Sequence, residues 1–150
     1  MGTTYTVRAV LGEDTGGGDL AARIGDALRA VDADMSTYKP DSELNRFNAA
    51  PANTPFALSP PLAEVFRIAL EVSRRTDGAF DITVGPLVNA WGFGPEDPPA
   101  PPGDAEIAAL RERVGYQHLT LRENGTLVKD IDGGLLRPFG RGQRVRRGLC

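Results

Sequence analysis

TDGAFDITVGPLVNAWGFGP, residues Thr76–Pro95, decides how the rest of the chain is read. The stretch is apolar, punctuated by glycine, and carries Trp91 and Phe93 near its end. It keeps neither a helical nor a strand period, so it reads as an irregular connection with the regular elements on either side. Upstream, Ser59 followed by Pro60 is a helix start: a capping hydroxyl, then a proline whose missing N–H is harmless at the first helical position. Leu62, Val65, Phe66, Ala69 and Leu70 form the buried stripe of that helix, which should end before Gly78. Downstream, PEDPPAPPG (Pro95–Gly103) is a surface loop stiffened by prolines. Asp104 is placed to cap a third helix running through Val114, with Gly115 as its stop. His118–Leu121 and Thr126–Ile131 flank Asn124-Gly125, a pair suited to a two-residue hairpin turn.

Toward the N-terminus, Thr3–Val10 alternates, with Tyr5, Val7 and Ala9 on one face and Thr4, Thr6 and Arg8 on the other. This predicts a half-buried strand. Gly16-Gly17-Gly18 is a turn, and Asp19 caps a helix with Leu20, Ile24, Ala27, Leu28 and Val31 at helical spacing. MSTYKPDSELNRFNAAP (Met35–Pro51) has no clean period and reads as a long ordered loop, a rarity in compact domains unless it has a job. The order strand, helix, loop, helix, irregular segment, helix, hairpin is an α/β or α+β plan.

The 150 residues suffice for one domain with a real core. No stretch has the roughly 20 apolar residues that span a bilayer, and no signal segment is visible. The single cysteine, Cys150, rules out an intrachain disulfide. The net charge of −3 hides an asymmetry: residues 135–150 hold five arginines and no acid, leaving 12 basic against 20 acidic residues over 1–134. An acidic body is a poor non-specific nucleic-acid binder. Asp32, Asp34, Ser36 and Glu43 match positions 1, 3, 5 and 12 of a calcium loop, but the obligatory glycine is replaced by Thr37. There is no phosphate-binding glycine loop and no nucleophile elbow.

Taken singly, the notable side chains have bland readings. Tyr38 in a loop is more often a packing residue, Phe80 core, and Asp81 a turn cap. Trp91 and Phe93 read as core or pocket wall. His118 has no acid or second histidine nearby in sequence and is not expected to act as ligand or base.

Three segments in order, Met1–Tyr5 (MGTTY), Met35–Asn48 (MSTYKPDSELNRFN) and Thr76–Pro95, together with VGYQHLTL (Val114–Leu121), resemble the ApbE family of flavin transferases. The resemblance covers residues 1–133 and about the first half of the family's domain. It implies an α/β (α+β), ApbE-like, T-fold-like domain, here truncated. It implies magnesium-dependent splitting of the FAD pyrophosphate, with FMN attached by a phosphoester bond to a threonine of an acceptor protein, typically a subunit of a membrane redox complex. Some members release FMN and AMP instead. Met1, Tyr38 and Ala79-Phe80-Asp81 match positions that contact FAD. Those residue types suit a two-ring ligand, which wants aromatic plates and a few orienting polar groups, and Gly78 permits close backbone approach. Catalytic acids and Mg2+ ligands are expected in the C-terminal half, and no metal ligand is assigned within this chain. Family members are commonly exported, often as lipoproteins on the outer face of the cytoplasmic membrane. Met1 lies inside the first motif, which is what a start codon assigned too far downstream produces.

Beyond Gly133 the family continues D-L-S-A-x-A-K-G-Y-x-V-D, whereas this chain reads GGLLRPFGRGQRVRRGLC. Codons for Arg137–Gly148 can be chosen so that a one-base shift yields D-L-S-A-V-A-K-G-Y-G-V-D. The expectation is a frameshift between Asp132 and Arg137, with residues 134–150 an out-of-frame basic tail and a chain without transferase activity and prone to aggregation. The competing readings are an FAD pyrophosphatase, a non-catalytic flavin-binding fragment, and a basic-tailed adaptor for nucleic acid or membrane.

Overall fold

A computed structural model describes residues 4–8, 10, 17–94, 100–134 and 136. Five helices and a three-stranded sheet occupy this part of the chain: α1 (Gly17–Met35), α2 (Glu43–Ala49), β1 (Phe56–Ala57), α3 (Pro60–Arg75), α4 (Gly85–Ala90), α5 (Asp104–Arg111), a 3-10 turn (Tyr116–His118), β2 (Leu119–Leu121) and β3 (Thr126–Lys129). The sheet is antiparallel in the order β1-β3-β2, with Leu119 opposite Lys129, Leu121 opposite Leu127, and Phe56 also opposite Leu127. Helices grouped with a small antiparallel sheet make this an α+β arrangement.

The core forms where α2, α3 and the sheet converge. Leu44, Phe47, Leu62, Phe66, Leu70, Ile82, Leu127 and Leu136 are buried together. Phe47 is its hub: its ring meets Phe56 edge-on at 5.6 Å and Phe66 at 6.4 Å, separations at which aromatic quadrupoles attract.

α3 follows the sequence closely. Leu62, Phe66, Ala69 and Leu70 are buried and Val65 is half-buried. The two prolines open the helix. At its end Asp77 and Gly78 adopt left-handed φ of 50° and 78°, and the Gly78 N–H returns to the Ser73 carbonyl at 2.9 Å. That closes the exposed carbonyls of the last turn. The Ser59 hydroxyl makes no capping bond; the Ser59 N–H is taken instead by the buried Glu43 carboxylate at 2.6 Å.

Several expectations are corrected. Residues 4–8 and 10 form no strand, and Tyr5 and Val7 are exposed. Alternation of residue types is a weak signal on its own, because a strand also needs a hydrogen-bonded neighbour in register. The loop expected over Met35–Pro51 contains α2. Its N-cap is Ser42, whose Oγ accepts the Asn45 N–H at 3.1 Å and donates to the Ser36 carbonyl at 2.6 Å. The segment after Gly78 contains α4. Asp104 is the first residue of α5, Gly103 its N-cap, and the helix stops at Arg111. There Asp104 and Glu106 still favour the positive end of the helix dipole. β3 ends at Lys129, short of Ile131. The hairpin turn is longer than two residues: Gly125 N–H donates to Arg122 O, Arg122 N–H to Thr126 O, and only Gly125 has positive φ, at 76°. That is a three-residue connection with glycine at the left-handed position. Trp91 and Phe93, read as core or pocket wall, are about half exposed, which excludes the core alternative.

Candidate functional site

The carboxylate of Asp81 organises the connection between α3 and α4. One oxygen accepts the Thr83 N–H at 2.8 Å and the Thr83 hydroxyl at 2.6 Å; the other accepts the Tyr116 N–H at 2.8 Å. The Thr83 hydroxyl, having donated to Asp81, accepts the Gly115 N–H at 2.7 Å. An aspartate bonding the backbone two residues on is a familiar turn former. Here it also fastens that turn to the start of the 3-10 turn, more than thirty positions along the chain.

The other end of the segment is held by Thr76. The Ala79 N–H donates to the Thr76 carbonyl at 3.0 Å and the Phe80 N–H to the Thr76 hydroxyl at 3.2 Å. Ala79 and Phe80 therefore sit on a short exposed arch pinned at both feet. The Phe80 ring is 38% exposed, so it is not the core residue its type suggests. A Cβ at Gly78 would lie 3.7 Å from the Tyr116 ring, an ordinary contact. What requires glycine there is the left-handed backbone.

Tyr38 lies on a different connection, between α1 and α2, with its ring 46% exposed and its N–H on the Ser36 hydroxyl at 3.2 Å. The turn holding it is tied by Asn45, whose Nδ2 donates to the Lys39 carbonyl at 2.8 Å and the Ser36 carbonyl at 3.3 Å. Lys39 also reaches back to α1, its Nζ 2.7 Å from Asp32. That hydrogen bond is the largest of several contributions that lower the Asp32 carboxyl to about 2. Of the sequence-predicted residues, Ala79, Phe80 and Asp81 form one arch, Tyr38 stands on a second turn, and Met1 lies outside the described residues.

Sequence reasoning missed three groups. His118 does have an acid beside it: its Nδ1 lies 2.8 Å from Asp130 Oδ1. The register that pairs Leu119 with Lys129 sets these two side by side, a signal available from the hairpin itself. Thr83 is missed because its role depends on Gly115, far along the chain. Lys129 is 2% exposed, with Nζ on the Asn48 carbonyl at 2.6 Å and 5.4 Å from the centre of the Phe47 ring. Burial pushes its ammonium below the usual lysine range, against a smaller opposing pull from Asp132. Among the described residues no group of three or more His, Cys, Asp or Glu comes together to hold a metal ion, and no helix is long and apolar enough to cross a membrane.

Comparison with known proteins gives this geometry its context. A family model described as ApbE family matches residues 1–138. The Vibrio cholerae protein named FAD:protein FMN transferase is 45% identical over 135 residues, 87% of this chain and 40% of that protein. Its Escherichia coli K12 counterpart of the same name is 45% identical over 104 residues, 69% of this chain and 30% of that protein. The solved structure named Flavin Transferase ApbE from Vibrio cholerae matches with a TM-score of 0.78 at 43% identity, covering 83% of this chain and 40% of that one. The chain thus spans less than half the length of the relatives it matches. The matched region takes in α1 through β3, the Tyr38 turn and the Asp81 arch, and on that extent of agreement the chain belongs to the ApbE family.

Proposed function

We propose that residues 1–133 are the flavin-recognising part of an FAD:protein FMN transferase. The reaction cleaves the FAD pyrophosphate and joins FMN through a phosphoester bond to a threonine of an acceptor protein, a subunit of a membrane redox complex. The observation that carries this reading is the pair of exposed aromatic rings, Tyr38 and Phe80, on turns held by networks of side-chain hydrogen bonds, within a chain whose curated relatives are named for this reaction. Two aromatic plates on rigid turns give a dinucleotide its apolar contacts without a large ordering cost. Met1, Tyr38, Ala79, Phe80 and Asp81 are the proposed FAD contacts.

Phosphoryl transfer needs charge neutralised at the phosphate oxygens. The described residues offer no acid cluster for Mg2+, so we assign them recognition and no transfer step. Mg2+ binding, and a location on the outer face of the cytoplasmic membrane, come from the family resemblance. Residues 134–150 are assigned to a shifted reading frame; a single intact frame in a resequenced gene would refute that assignment.

The test is direct. The chain is titrated with FAD, then incubated with FAD, Mg2+ and an acceptor protein. The expected result is quenching of flavin fluorescence without a fluorescent acceptor band. Absence of FAD binding overturns the recognition assignment, and a fluorescent acceptor overturns the division of labour.

A further inference from the structure

Thr83 is 3% exposed, and its hydroxyl is engaged on both sides. It donates to Asp81 and accepts from Gly115, the one-donor, one-acceptor pattern that fixes the rotor. Asp81, in turn, directs three of its acceptor sites at protein donors, Thr83 N–H, Thr83 Oγ1 and Tyr116 N–H. A carboxylate has about four such sites, so little of this one remains for a bound molecule. Phe80 next to it is exposed; on one side of its arch the Ala79 N–H donates to the Thr76 carbonyl and the Phe80 N–H to the Thr76 hydroxyl, and on the other the Asp81 carboxylate accepts the Tyr116 N–H.

We infer that Thr83 is a positioning residue for flavin binding, and that Asp81 acts with it mainly as a clasp that locks the Ala79–Phe80 arch onto the Gly115–Tyr116 turn. This rests on the recognition role proposed above and changes what Asp81 is for. Removing either member frees the arch, and the aromatic plate no longer stands ready for the ligand. Because both side chains serve one clasp, their losses overlap and do not add.

The experiment uses the full chain and its Thr83→Val, Thr83→Ser, Asp81→Ala and double Thr83→Val/Asp81→Ala variants. FAD affinity is read by flavin fluorescence and backbone protection by hydrogen exchange at Gly115 and Tyr116. Valine keeps the shape of threonine and removes the hydroxyl; serine restores it. The expected result is about a tenfold loss of FAD affinity in Thr83→Val, recovery in Thr83→Ser, and a double variant no weaker than Asp81→Ala. Exchange at Gly115 and Tyr116 should quicken in step with the affinity loss. The inference is overturned if Thr83→Val binds FAD like the parent, or if Asp81→Ala loses FAD while Tyr116 stays protected, which would leave Asp81 a ligand contact with no clasp. Failure of the parent chain to bind FAD is a separate outcome: it removes the recognition reading and the positioning role together, while exchange at Tyr116 still reports whether the clasp exists.

Discussion

Asn48 holds the backbone of Leu136 with its side-chain amide: the Leu136 N–H donates to Asn48 Oδ1 at 2.9 Å, and Asn48 Nδ2 reaches the Leu136 carbonyl at 3.5 Å. The asparagine amide presents an acceptor oxygen and an NH2 donor, as a neighbouring strand's backbone would, so Asn48 serves both backbone groups of Leu136. The seam is extended by the Ala52 N–H on the Asp132 carboxylate at 2.7 Å and the Asn53 N–H on the Lys129 carbonyl at 2.7 Å. Together these bonds bring residues 48–53 against the chain that follows β3, and Leu136 is buried in the core as a result.

Asn48→Ala should therefore destabilise the fold by about 1–3 kcal/mol, the range for leaving buried backbone groups without partners. Urea denaturation with the Glu123→Ala variant as an exposed-loop control measures it. A loss no larger than that of the control would mean that the Leu136 backbone is satisfied by other groups.

Lys129 presents a buried cation held by one carbonyl and an aromatic ring. Its folded-state pKa lies below the ordinary value of 10.5, chiefly through desolvation. Between the two values the unfolded chain binds more protons than the folded one, so stability rises with pH through that window. Lys129→Met should abolish the rise. At neutral pH it should stay within about 1 kcal/mol of the parent, because loss of a desolvated charge offsets loss of the hydrogen bond to Asn48. Urea melts from pH 7 to pH 10.5 decide it; an unchanged slope in Lys129→Met assigns the rise to another group.

Asp32 gives a slope of the same sign in the acid range, but here the fold favours the charged form. Its pKa is lowered from 3.8 to about 2, first by the hydrogen bond from Lys39. The stabilisation is complete above 3.8 and is lost as pH falls toward 2. Asp32→Asn should flatten the acid limb of the stability profile across that interval. The effect is small because Lys39 is more than half exposed and solvent screens the pair. NMR titration of the Asp32 carboxyl gives an independent check, and an ordinary midpoint there would contradict the pairing.

How much of this was legible in the sequence depends on element length. α3 was readable because sixteen residues carry four turns of periodic burial, and a serine, prolines and a glycine mark its ends. α2, α4 and β1 have seven, six and two residues, too few for a period to emerge. They exist because tertiary contacts favour them: Leu44 and Phe47 enter the core, and Phe56 borrows β3 as partner. At the candidate site, Tyr38 and Ala79–Asp81 were proposed from family motifs. The clasp was not, because Thr83 and Tyr116 gain meaning only when the fold brings residues 81–83 beside 115–116. His118 and Asp130 were one inference away, since the hairpin register places them side by side.

The two aromatic turns make the sharpest prediction about binding. Tyr38 and Phe80 are each too exposed to owe their presence to core packing, at 46% and 38%. Truncating either should cost the fold less than about 1 kcal/mol, as for other exposed positions. Truncating Phe66, which is fully buried, should cost about 3–5 kcal/mol. If the rings instead serve a planar ligand, Tyr38→Ala and Phe80→Ala should each weaken FAD binding by about tenfold or more, as lost aromatic contact implies. Tyr38→Phe should keep most of the stacking and lose only what the hydroxyl adds. The rings stand on separate connections, and the double variant measures whether they act on the ligand independently. Fluorescence titration of the single and double variants, with thermal melts run alongside, separates ligand contact from stability. A stability loss that tracks the affinity loss would return both residues to a packing role.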